Sequence, residues 1–135
     1  MISNNFHWPV RVYYEDTDAG GIVFYANYLK FFERARTEWL RELGIEQDLL
    51  LKQGIGFVVR SVVMNNLASA KFNDMLDVTA EIVVRKKASL VFRQAIRNQD
   101  DILIATAEVK VACVNLNQAK PIAIPEQITG VLPRV

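Results

Sequence analysis

The stretch Tyr14–Arg36, YEDTDAGGIVFYANYLKFFERAR, decides how this chain reads, because two acids and two glycines lead directly into an amphipathic helix. Asp18 is followed by Ala19, Gly20 and Gly21, residues too small to shield a carboxylate and flexible enough for a tight turn. The acid is therefore expected to stand exposed in a shaped loop. Beyond Val23 the pattern changes: Tyr28, Phe31, Phe32, Ala35, Trp39 and Leu43 recur at helical spacing, with Lys30, Arg34, Thr37 and Arg41 on the opposite side. The spacing predicts a helix starting near Phe24 to Asn27, and Gly44 suits its C′ stop. A helix N-terminus carries free N–H groups and a partial positive charge. An oxygen gaining negative charge would be stabilised there, beside Phe24, Tyr25 or Ala26. Spacing alone leaves the plainer alternative open, since Asp16 or Asp18 could simply bond nearby backbone amides in a turn.

The flanking segments read as strands. Val10, Val12 and Tyr14 alternate with Arg11, Tyr13 and Glu15, which predicts a first strand delivering the chain to the acidic turn. After the helix, Gln47 to Gln53 reads as a short extra helix. Phe57 to Leu67 is a long β-branched segment with an expected interruption near Asn65 and Asn66, and Ala68 to Met75 reads as an irregular connection. Leu76, Val78, Ala80, Ile82 and Val84 are expected inward, and Ser89 to Arg97 forms the next strand. After the polar turn Asn98 to Asp101, Leu103, Ala105, Ala107, Val109, Val111 and Cys113 line one face of the last long strand. One strand, one long helix and four meandering strands imply an α+β layer in which an antiparallel sheet wraps an apolar helix.

Composition narrows the function. The 135 residues, 51% hydrophobic and 23% charged, suit a single domain spanning 1–135. Sixteen basic residues against 15 acidic ones, a net charge of +1, offer no nucleic-acid face and no polybasic membrane segment. The opening MISNNFHWPV lacks an apolar signal-peptide region, and no apolar run approaches the ~20 residues of a membrane span. A cytoplasmic protein is expected. No His-rich or Cys-rich pattern suggests a metal site.

The run DTDAGGIVFYANYLKFFERAR resembles the signature of the hotdog-fold acyl-CoA thioesterases, in the 4-hydroxybenzoyl-CoA thioesterase family and its YbgC-like, Tol-Pal-associated branch. The family pattern of Asp-x-Asp-x-x-Gly, two aliphatic residues, an aromatic and then Tyr or His reads here as Asp16, Asp18, Gly21, Ile22, Val23, Phe24 and Tyr25. The resemblance implies a hotdog fold, with a five-stranded antiparallel sheet around one central helix. It implies hydrolysis of an acyl- or aroyl-CoA thioester to free acid and CoA, with no cofactor beyond the substrate's own CoA. The catalytic carboxylate maps to Asp18 and the thioester-polarising amide to Tyr25. Many Tol-Pal-associated members carry His at the position where this chain, like the aroyl-CoA branch, has Tyr25. Relatives complete their sites between subunits, which implies a homodimer or homotetramer.

A CoA substrate brings phosphates, and the turn Arg85-Lys86-Lys87-Ala88-Ser89 offers three cations and a hydroxyl. By itself this is also an ordinary solvated hairpin turn. The family places its nucleotide contacts on the corresponding turn, so Lys86, Lys87 and Ser89 are the implied CoA-binding residues. Within such a site Asp18 would act as nucleophile, through an acyl-enzyme anhydride, or as general base toward water. His7, the one histidine, and Cys113, the one cysteine, read as a surface residue and a buried hydrophobe. Asp16 reads as a turn organiser, Glu38 and Arg41 as a surface pair, and Glu33 as a secondary candidate two turns into the helix. Two alternatives use the same elements: a noncatalytic acyl-CoA-binding or interaction module, and a hotdog hydroxyacyl dehydratase. The second needs a His near the acid, and only His7, outside the motif, is available.

Overall fold

A computed structural model describes residues 3–135; Met1 and Ile2, at the start of the opening segment read for a signal peptide, lie outside the described residues. The chain order is β1 (Phe6–Arg11), a single 3-10 turn (Tyr14–Asp16), α1 (Asn27–Glu42), α2 (Gln47–Lys52), β2 (Ile55–Asn66), β3 (Met75–Arg85), β4 (Ser89–Arg97), β5 (Leu103–Asn115), β6 (Lys120–Pro121) and α3 (Glu126–Thr129). Five long strands form one antiparallel sheet in the order β1-β3-β4-β5-β2, and the two-residue β6 adds to β5.

Helix α1 buries Tyr28, Phe31, Phe32, Ala35, Trp39 and Leu40 against this sheet. Its stripe meets Leu76, Val78, Ala80 and Ile82 of β3 and Leu90, Phe92 and Ile96 of β4 in one apolar cluster. Trp39 ties three elements together, stacked on Phe6 of β1 at 6.0 Å and edge-on to Phe92 of β4 at 6.1 Å. The helix stops where the sequence says it does. The Gly44 N–H bonds the Arg41 carbonyl and the Ile45 N–H bonds the Leu40 carbonyl, a Schellman motif that requires the left-handed φ of +88° at Gly44.

Four expectations are corrected. The first strand runs Phe6–Arg11, not Val10 to Glu15. Asp16 Oδ2 accepts the Tyr13 N–H at 2.8 Å while the Tyr13 carbonyl accepts the Asp16 N–H at 3.0 Å. This curls the chain before a strand can continue and leaves Tyr14 79% exposed. Pro9 is compatible with β1 because β1 is an edge, where a missing N–H breaks no ladder. In β2 the irregularity lies between Val59 and Ser61, whereas Asn65 and Asn66 pair regularly with Thr106 and Ala105. A second bulge between Ile82 and Val84 turns Val84 outward to 37% exposure. One extra residue flips every later side chain, so both bulges shift the inside–outside pattern. Finally, β2 does not meander into β3; it crosses to pair with β5 at the opposite edge. β4 spans Ser89–Arg97 as read, whereas α2 ends at Lys52 rather than Gln53 and β2 runs Ile55–Asn66 rather than Phe57 to Leu67.

Candidate active site

The acidic turn is a short antiparallel ladder. Thr17 bridges Val23, the Asp18 N–H bonds the Ile22 carbonyl at 2.8 Å, and the Phe24 N–H bonds the Asp16 carbonyl at 3.2 Å. Asp18 occupies one end of this ladder and Tyr25 follows the other. Gly21 sits at φ +79°, and a Cβ on Gly20 would stand 3.3 Å from Asp18 Oδ1, closer than most such contacts allow. The carboxylate is exposed and accepts one bond, from the Gly20 N–H at 2.8 Å, and it pairs with no cation among the described residues. Its remaining lone pairs face solvent. Asp16 does the organising work expected of it, through its bond to Tyr13.

The turn is fixed from behind. Val23 is buried and its N–H bonds the Ala70 carbonyl at 2.8 Å; Ile22 bridges Lys71; and the buried Ala70 N–H donates to the Tyr28 hydroxyl at 3.0 Å. Burial pushes the Tyr28 phenol above its ordinary pKa, the Ala70 bond pulls it back, and the Asp74 charge pushes it up again. Tyr28 is thus a protonated structural group. The Asn27 side chain donates to the Asp16 carbonyl at 2.9 Å, tying the first helical residue to the acidic turn.

The helix entry leaves two donors unused. Regular helix begins at Asn27, and Asn27, Tyr28 and Leu29 donate to Phe24, Tyr25 and Ala26 in a tight lead-in turn. The N–H groups of Tyr25 and Ala26 find no acceptor among the described residues. They stand where the axial dipoles of α1 concentrate positive charge. The Tyr25 side chain is 58% exposed and packs on Phe24 with ring centres 5.0 Å apart, while Tyr14 and Phe72 form a second exposed aromatic pair.

The basic turn lies elsewhere. Lys86 and Lys87 are exposed, Ser89 is half-buried, and the Lys86 N–H bonds the Ser89 carbonyl at 2.9 Å. Arg85 points away from it: its guanidinium donates to the Pro133 and Thr129 carbonyls at 2.9 and 3.0 Å and anchors the C-terminal segment. The Asp18 turn backs onto residues 70–72, just before β3 begins at Met75, whereas the basic turn follows the last residue of β3, Arg85. Ten residue steps of strand separate the two ends, roughly 33 Å at about 3.3 Å per step. One chain therefore brings Asp18 and Tyr25 together but does not bring Lys86, Lys87 and Ser89 to them.

The other candidates are placed outside this turn. His7 pairs with Asp77 on the β1–β3 edge, Nδ1 to Oδ2 at 2.9 Å. Cys113 is free and buried, and burial raises its thiol pKa. Glu33 is exposed, and Glu38 pairs with Arg41. Arg36 went unread in the sequence although Phe32, Arg36 and Leu40 share one helical face; it is buried at 9% exposure and donates to Gln94 Oε1 at 2.9 Å. Among the described residues no group of three or more His, Cys, Asp and Glu is placed to hold a metal ion, and no helix is long and apolar enough to cross a membrane.

A curled antiparallel sheet around one long helix, with an acid-bearing turn at the helix entry, defines a hotdog-fold domain of the thioesterase type. The profile of the Thioesterase-like superfamily matches residues 12–132. The chain belongs to that superfamily. It is 48% identical over 130 residues to the acyl-CoA thioester hydrolase YbgC of Escherichia coli O6:H1, covering 96% of this chain and 97% of that one. It is 46% identical over 129 residues to the acyl-CoA thioesterase YbgC of Haemophilus influenzae, covering 95% and 94%. Among solved structures it is similar to a probable thioesterase from Bartonella henselae, with a TM-score of 0.83, 33% identity, and coverage of 90% and 99%.

Proposed function

We infer that this chain is an acyl-CoA thioester hydrolase, the activity for which its YbgC relatives are named. The observation that carries the chemistry is the pairing of an exposed carboxylate and two unpaired amides at the two ends of one short ladder. A thioester carbonyl seated against the Tyr25 N–H would find its developing negative charge stabilised by that donor and by the axial dipole of α1. Asp18 then acts on the carbonyl carbon. As nucleophile it forms a mixed anhydride that water opens; as general base it takes the proton of an attacking water. The thiolate of CoA is a good enough leaving group to depart without a strong acid. CoA enters only as part of the substrate.

We assign the nucleotide contacts to Lys86, Lys87 and Ser89 of a second copy. Strand β2 is an open edge carrying exposed Val59, Val62 and Val63. Its Ile55 end pairs with Asn115 near the basic turn, and its Asn66 end leads into residues 68–70 behind the acidic turn. Antiparallel pairing of two β2 edges about a two-fold axis would reverse those ends, setting one copy's basic turn beside the other's Asp18. A homodimer, or a tetramer built from it, follows from this reading. The cytoplasm, where nothing asks the lone Cys113 to form a disulfide, is the compartment it assigns.

Thiol release from a panel of acyl- and aroyl-CoA esters tests the activity. Turnover on at least one ester class is expected. Binding of the same esters without turnover would identify the noncatalytic acyl-CoA-binding module instead. A dehydratase reading has no observation behind it, because His7 lies on β1, paired with Asp77.

A further inference from the structure

Arg36 is unusual among the charged residues of this chain. It sits on the buried stripe of α1 at 9% exposure, with no carboxylate within ion-pair distance among the described residues. Its one hydrogen bond goes to Gln94 Oε1, and the Gln94 amide is locked in that orientation because Nε2 donates to the Phe32 and Thr79 carbonyls at 3.0 and 3.4 Å. A guanidinium offers five N–H donors. Among the described residues no fully buried side-chain nitrogen or oxygen lacks a partner, so the unused nitrogens of Arg36 must reach open space. That space is a cavity of about 240 Å³ between α1 and the sheet, with Leu40, Phe57, Leu90 and Phe92 among its walls and Glu33 and Thr37 on the helix side. Burial lowers the pKa of Arg36 and Glu33 raises it; a guanidinium nevertheless stays charged at any ordinary pH.

We propose that this cavity binds a small carboxylate with a compact apolar body, the carboxylate on the Arg36 fork and the body against the apolar walls. A desolvated guanidinium with free donors is complementary to a planar carboxylate, which can accept two parallel bonds from it. The space, about 240 Å³, admits an acid of several carbons. Hexanoate and benzoate are of that size. The cavity is distinct from the thioester seat, since Arg36 lies eleven residues beyond Tyr25, a rise of roughly 16 Å along the helix. Such a carboxylate has two sources, a free acid like that released by thioester hydrolysis or the far end of an acyl group that carries a second carboxylate.

The first experiment titrates hexanoate and its neutral isostere hexanamide into the resting protein, followed by nuclear magnetic resonance shifts of the Arg36 and Gln94 side chains. Saturable binding of hexanoate at least tenfold tighter than the amide is expected. Binding should weaken at least tenfold in Arg36→Gln, and also in Thr37→Met, which narrows the cavity with a good helix former and leaves Arg36 in place. Equal binding of acid and amide, or no binding of hexanoate at millimolar concentration, would overturn the proposal even if every CoA ester is turned over. The source is read from dodecanedioyl-CoA against lauroyl-CoA, whose acyl chains are long enough to span that rise. An acyl-borne carboxylate gives dodecanedioyl-CoA a KM advantage that Arg36→Gln abolishes; a free acid gives no such advantage, and hexanoate itself then alters turnover through Arg36. Neither effect, with wild-type turnover intact, counts against the site.

Discussion

Tyr28→Phe isolates the contact that holds the acidic turn against the rest of the fold. The substitution keeps the buried ring and removes only the oxygen that accepts the Ala70 N–H at 3.0 Å. Ala70 is fully buried, so its amide finds no water in exchange. Leaving a buried donor unsatisfied costs about 1–3 kcal/mol. With a urea m-value of roughly 2 kcal/mol/M for a domain of this size, the unfolding midpoint should fall by about 0.5–1.5 M. The loss should be local as well as global. The Ala70 carbonyl accepts the Val23 N–H that backs the Asp18 ladder, so the Ala70 and Val23 amides should exchange with deuterium faster than in the wild type. Turnover should drop severalfold with little change in KM. The control is Tyr14→Phe, whose hydroxyl is on an exposed ring and should leave the midpoint unmoved. An unchanged midpoint in Tyr28→Phe with both amides still protected would mean that the hydroxyl does not satisfy the Ala70 amide.

Other outcomes follow from the same contacts. Gly44→Ala should destabilise by about 1–2 kcal/mol in urea unfolding, since nothing crowds the added Cβ and the whole cost is the left-handed φ of +88°. Lys86→Ala with Lys87→Ala should fold normally and raise KM for CoA esters far more than for pantetheine thioesters, which lack the nucleotide phosphates. Equal losses on both substrates would reduce that turn to a structural role. Cys113 should resist a thiol reagent in the native state and react in urea. Its thiol pKa is raised on folding, so the unfolded chain loses its proton first. Stability from this group is complete below the ordinary thiol pKa and is lost as pH climbs through the raised one, which alkaline unfolding curves of wild type against Cys113→Ala will read.

The sequence made the helix, its stop and the acidic turn legible because each rests on local chemistry. The Phe31, Phe32, Ala35 and Trp39 stripe needs only helical periodicity, Gly44 needs only its missing Cβ, and the Asp18–Gly21 turn is built from its own backbone bonds. What escaped depends on contacts across the chain. The bulges at Arg60 and Val83 answer to the curvature of the sheet against β5 and β4, which neither strand announces in its own residues. Strand β1 ends at Arg11 because Asp16 captures the Tyr13 amide, a side-chain contact that the alternation of Val10, Val12 and Tyr14 does not announce. Pairing of β2 with β5, from Asn66 with Ala105 to Ile55 with Asn115, joins residues far apart in the chain and has no local signature. For the same reason the sequence could name both the acidic and the basic turn without revealing that β3 holds them at opposite ends. Arg36 was hidden by its charge: its place on the stripe is plain from the spacing, but a guanidinium is ordinarily assigned to solvent.

Asp18→Asn separates the chemistry of the acid from the shape of its turn. The amide oxygen can still accept the Gly20 N–H, so the turn should keep its shape while losing a base and nucleophile. Thiol release from the best CoA ester, measured on wild type and variant of matched urea midpoint, is expected to fall by two or more orders of magnitude in kcat with substrate binding retained. A variant that turns over at the wild-type rate would remove Asp18 from the chemistry.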